Sequence, residues 1–154
     1  MLTSHKVFTE AELESRCEIM LENYCKTVAI EANTMVDMAK KQIAPAVEEY
    51  TSKIAATAAS KKEICGDAAC EYEKGVICRL SQVVSQIAER TDALESAIVK
   101  IDGFGDIKDE SYYIRDTILP AMRELRLAAD EAEGLVGEKY WPFPTYGDLL
   151  FGVR

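Results

Sequence analysis

Thiols, imidazoles and grouped carboxylates carry most protein chemistry, and this sequence supplies them unevenly. It has five cysteines (Cys17, Cys25, Cys65, Cys70, Cys78) and a single histidine, His5. The cysteine count is odd and no pair is spaced C-x-x-C, so neither a disulfide framework nor a zinc knuckle is indicated. A nucleophilic thiol needs a base within hydrogen-bond reach, and imidazole is all but missing. The thiols therefore read as reduced, with Cys17, Cys65, Cys70 and Cys78 placed in helical patterns as small apolar fillers. Carboxylates are plentiful, 27 acidic against 18 basic residues. A helical di-metal centre would need two Glu-x-x-His pairs, and one histidine cannot supply them. "DGFGDIKDE" (Asp102–Glu110) has the acids and glycines of a calcium loop in the wrong order and reads as a helix–helix turn. No G-x-x-x-x-G-K-[ST] or G-x-G-x-x-G phosphate cradle occurs. Catalytic, cofactor and metal residues are thus expected to be none within this chain.

Glu14, Glu18 and Glu22 form a like-charge ladder at i, i+4, costing a few tenths of a kcal/mol per pair in an isolated helix. Lys26 can meet Glu22, and nothing meets the other two. The ladder is either a solvated face or a surface turned toward a basic patch on another domain or subunit.

The elements that would hold these residues are helices. Thr9 and Glu12 make a capping box, with Phe8 and Leu13 placed as a hydrophobic staple. Leu13, Cys17, Met20, Tyr24, Val28, Met35, Ala39 and Ile43 then follow one helical face. The pattern continues through Val47, Tyr50 and Ile54 to about Ser60, on the order of 78 Å of helix at 1.5 Å per residue. Pro45 predicts a kink. Gly66 and Asp67 offer a break and an N-cap. A second helix, about 67–101, carries a seam of Ile77, Leu80, Val84, Ile87, Thr91, Leu94, Ile98 and Ile101. Asp106 caps a third, about 106–136, with a seam of Ile114, Ile118, Ala121, Leu125, Ala128, Ala132 and Leu135. Pro120 lies inside it in a setting, "ILPAMRE", that rhymes with "IAPAVEE" around Pro45. Gly134 or Gly137 ends it. No stretch alternates as a strand. The expected fold is all-α, an elongated antiparallel bundle of three to four long helices: a tail over 1–8, the bundle over 9–137, and an extended Pro/aromatic tail over 138–154.

At 154 residues and 48% hydrophobic composition the chain suits one globular domain. Its net charge of −9 argues against nucleic acid and anionic membrane surfaces as partners. No apolar run approaches the roughly 20 residues of a membrane span, and the N-terminus lacks a signal-peptide core, so a cytoplasmic location is expected.

The tail, "KYWPFPTYGDLLFG", breaks the pattern. Tyr140, Trp141, Phe143, Tyr146 and Phe151 gather around Pro142 and Pro144. The prolines force extended backbone at Trp141 and Phe143, and "TYGD" reads as a turn. So much aromatic area must be covered, by the chain's own helices or by a partner. These residues, with Glu14, Glu18 and Glu22, are the candidate interface.

"FTEAELESRCEIMLENYCKTVAIEANTMVDMAKKQIAPAVEEY", "ILPAMRELRLAADEAEGLV" and "KYWPFPTYGDLLF" resemble the C-terminal region of type III glutamine synthetases, over essentially the whole chain. The resemblance implies a parent enzyme that joins ammonia to glutamate using ATP and a divalent metal such as Mg, assembled as stacked hexameric rings. It implies a helical appendage without catalytic residues, structural, assembly-related or regulatory. Its partners would be the catalytic domain of the same enzyme and neighbouring subunits. The alternative is a free-standing helical interaction module.

Overall fold

The computed structural model describes His5 and residues 7–152, with the side chains of Ala68 and Tyr146 outside the description. Among the described residues every regular element is a helix. α1 (Glu10–Met38) starts from Thr9, whose hydroxyl accepts from the Glu12 N–H at 3.3 Å while the Glu12 carboxylate accepts from the Thr9 N–H at 2.8 Å. It passes through a wide turn, Ala39–Ile43, into α2 (Ala44–Cys65). Gly66, at φ +81°, reverses the chain in a conformation that L side chains disfavour. A short 3₁₀ turn, Asp67–Cys70, leads into α3 (Glu71–Ile98). Past Ile101–Gly103, α4 (Ile107–Tyr113) runs through a second wide turn, Ile114–Ile118, into α5 (Leu119–Leu135).

Cross-helix ion pairs show how these rods lie. Lys61–Glu73 (2.6 Å) and Lys40–Glu95 (2.6 Å) set α3 antiparallel to the first long helix. Arg79–Glu131 (3.5 Å) and Arg90–Glu124 (3.9 Å) set α5 antiparallel to α3. α3 is thus the central rod, packed against α2 on one side and α5 on the other. Most of these pairs are half-exposed and contribute little energy; they report register. Between the rods lies the core, including Val28, Ala32, Ile43, Val47 and, from the other helices, Leu80, Leu94, Ile118 and Leu125. Thr91, the polar interruption of the α3 seam, is buried and donates to the Ile87 carbonyl at 2.6 Å.

The irregularity at Pro45 takes a specific form. The Ala44 N–H reaches back five residues to the Ala39 carbonyl, and the Leu119 N–H likewise reaches Ile114. Each proline thus follows a π-turn by two residues, which makes room for a ring that would otherwise crowd the preceding turn. The wide turn also lets Ala39, Ile43 and Val47 share a face at steps of four.

Several sequence expectations shift. The buried stripe of the first helix is Cys25, Val28, Ala32, Val36, Ala39, Ile43 and Val47; Tyr24 and Met35 flank it, and Cys17 and Met20 are exposed. Polar Thr27, Glu31 and Thr34 obscured the choice between two adjacent lines. Of the cysteines placed as fillers only Cys70 is buried, joined by Cys25, while Cys17, Cys65 and Cys78 face solvent. Asp67 does not cap α3; it pairs with Lys62 at 3.1 Å. α2 runs on past Ser60 to Cys65 because "AATAASKKE", though weak in apolar pattern, is rich in helix formers.

Candidate functional site

The two groups of candidate interface residues lie on different parts of the bundle. α5 ends at Leu135, and Val136 turns extended. Gly137 then passes close to α2: a Cβ there would sit 3.3 Å from the Tyr50 ring, tighter than ordinary contact. That approach places Tyr140, in a 3₁₀ turn (Glu138–Tyr140), against Tyr50 with ring centroids 5.2 Å apart. Trp141 and Phe143 follow, edge to face at 6.1 Å, with exposed Pro142 between them. Both rings pack on the core and line a cleft of about 330 Å³ with Met35, Met38, Ile43 and Leu125. Arg126, Asp130 and Glu133 form its charged side. The segment from Tyr140 to Phe143 is a strap lying along the groove between the first helix and α5.

Beyond Pro144 the chain behaves differently. "TYGD" is not a free turn. Thr145 caps α6 (Tyr146–Phe151), accepting from the Asp148 N–H at 3.2 Å, and Asp148 accepts from the Thr145 N–H at 2.9 Å. The Thr145 hydroxyl, which donates to the Asp148 carboxylate at 2.8 Å, and then the Thr145 N–H hold that carboxyl below its ordinary range. The signal was present in the sequence as T-x-x-D, a capping box. α6 carries Leu149 (67% exposed), Leu150 (70%) and Phe151 (82%) into solvent. The candidate Tyr146 begins this helix, and its side chain lies outside the described residues.

Glu14, Glu18 and Glu22 are exposed on α1, and Lys26 meets Glu22 at 3.0 Å. Of α1, the stretch Glu10–Asn23 has no buried residue. Across from its end, Glu110 of α4 lies beside the Cys25 thiol, which burial, and then Glu110, pushes up. α4 starts only at Ile107, so α1 overhangs the rest of the bundle. Sequence reading missed Ile19 (55% exposed) and Met20 (71%) as solvent-facing residues of this overhang.

At the other end, Glu73 is buried and takes the Lys61 ammonium on one oxygen at 2.6 Å; its second oxygen has no partner among the described residues. The Lys61 bond holds the Glu73 carboxyl below its ordinary value. Among the described residues no three His, Cys, Asp or Glu side chains converge so as to hold a metal ion. No described helix is long and apolar enough to cross a membrane. What the described residues offer is contact surface: the strap on the core, the exposed apolar side chains of α6 and the exposed acids of α1.

Against known proteins, a family model described as the glutamine synthetase C-terminal domain matches residues 1–62. A glutamine synthetase of Butyrivibrio fibrisolvens is 35% identical over all of this chain. The chain belongs to the glutamine synthetase C-terminal domain family. The domain is also 28% identical to a type-3 glutamine synthetase of Dictyostelium discoideum and 28% identical to a glutamine synthetase of Bacteroides fragilis, each over 98% of its length. It spans about a fifth of the length of these curated relatives: 22%, 21% and 21% respectively.

Proposed function

We propose that the chain is the helical, non-catalytic C-terminal domain of a type III glutamine synthetase, serving its structure or assembly. The observation that carries this reading is the asymmetry of the matches. Glutamine synthetases align along nearly the whole chain, while the chain accounts for 21–22% of each of them. A relative described as type-3 is among them, which supports the subclass. The parent enzyme would join ammonia to glutamate with ATP and a divalent metal. Among the described residues no group of ligands converges to fit that metal. The domain's partners would be the catalytic part of the same enzyme and neighbouring subunits. Candidate contacts are the uncovered apolar side chains of α6 and the acidic residues of α1.

The test is an assay of the purified 154-residue chain for γ-glutamyl transfer and ATP-dependent glutamine formation. Neither is expected above background. Turnover at an enzyme-like rate would overturn the reading.

A further inference from the structure

We propose that the overhang of α1, Glu10–Asn23, is the element that seats this domain on the preceding, catalytic part of its own enzyme. The inference rests on the chain being one part of a glutamine synthetase. Its geometry is that of a packed helix stripped of its cover. From Cys25 inward the first helix has a buried residue at each successive turn as far as Val47. Traced outward at steps of four and three, the same line continues through Leu21, Glu18 and Glu14. The apolar stripe becomes acidic at the point where the bundle stops. The facing turn adds exposed Asp102, Asp106 and Asp109. An apolar helix face such as that of α3 cannot cover that line, because it would leave carboxylates desolvated without partners. The covering surface must bring Lys or Arg opposite Glu14 and Glu18.

The other flank of the overhang is mixed, with two large apolar side chains among polar ones. Ile19 and Met20 stand side by side, and with Ala11, Glu12, Ser15 and Arg16 they bound an open groove of about 630 Å³ along the helix. A partner that places cations on one side of the rod and an apolar ridge in this groove would hold it on two faces. The overhang is built to present them: the Thr9–Glu12 box caps it, and Arg16 stacks over Phe8 at 4.5 Å. Such capping matters, because a stretch this short is marginal as a helix without packing. The occupant is named by what the relatives add. They are between four and five times the length of this chain, and the matching family is described as the C-terminal domain of these enzymes, so a larger part is expected ahead of it.

Cys17, between Glu14 and Glu18 and exposed, is a built-in reporter; Cys65 and Cys78, also exposed, lie on α2 and α3 beyond the overhang. The chain is grafted onto the Butyrivibrio fibrisolvens relative in place of its matching segment, and alkylation of each thiol is followed by mass spectrometry. Cys17 is expected to react at least about tenfold more slowly in the assembled graft than in the free chain, as for a locally protected site, with Cys65 and Cys78 unchanged. Glu14→Lys with Glu18→Lys should restore the free-chain rate. If the graft does not assemble, the same reading is made in the intact relative with cysteine at the position aligned to Cys17. Unchanged Cys17 reactivity, with hydrogen-exchange protection at Leu149–Phe151 instead, would sink this surface while leaving a packed domain. Protection nowhere in the domain would sink the packed-domain reading as well. Concentration-dependent protection of Cys17 in the free chain, with sedimentation as a dimer, would assign the groove to a second copy and overturn the proposal.

Discussion

The first long helix is two different objects on either side of Cys25. Inward, its packed line is buried, Ile43 at 7%; outward, the same line carries exposed Glu18 and Glu14, while Ile19 (55% exposed) lies on the face that also leaves Ile30 68% exposed. The tail repeats the contrast over a few residues: Trp141 and Phe143 lie on the core, while Phe151 stands 82% exposed. In the tail residue type is the same and cover differs; along the first helix residue type changes where cover ends. α3 and α5 reach one stretch and not the other, and the groove that accepts the strap ends before α6. Apolar character thus marks what wants cover, and the lengths of the neighbouring rods decide what receives it within this chain.

The contrast can be broken most directly with matched substitutions. Ile43→Ala should lose about 2–5 kcal/mol of stability in urea unfolding, while Ile19→Ala should stay within about 0.5 kcal/mol. Equal losses would mean the overhang is packed in the free chain. Next, Trp141→Ala should cost about 1–2 kcal/mol, the share expected for a half-buried large side chain, and Phe151→Ala should leave the midpoint unmoved. Thr9→Ala removes the cap of the overhang. Its cost of about 1 kcal/mol should appear as faster amide exchange over Glu10–Leu13 without a shift in global unfolding.

The smallest effect concerns acid. Glu73 has an ordinary value of 4.5 and is held below it in the folded protein, chiefly by the Lys61 bond. Its contribution is therefore complete above pH 4.5 and lost as pH falls through the lower folded value. Glu73→Gln should flatten that part of the stability profile, and an unchanged acid limb would show the pair to be immaterial.

Much of this was legible in the pattern of residues. The α5 seam, most of the α3 seam (Val83 and Ala97 are buried where the spacing predicts Val84 and Ile98), the Thr9–Glu12 box, the Asp106 cap and the break at Gly66 follow from contacts within a few positions, which sequence encodes directly. The π-turns were not legible, since a proline in a helix announces an irregularity without saying how the preceding turn absorbs it. Nor was the strap's seat, because the Tyr50–Tyr140 contact joins residues far apart in sequence and depends on Gly137 letting the chain come close. α6 was missed for a different reason: its capping box was present but overshadowed by the prolines before it.

By itself the sequence determined that the chain forms helices and where most of them begin and end. Its end segment also marked the family. Only the tertiary structure decided which helical line is buried, which thiols are shielded, and that the tail divides into a covered strap and an uncovered helix. The physical reason is that burial belongs to pairs of surfaces. A helix states its own apolar face, but whether that face meets water depends on how far its neighbours extend.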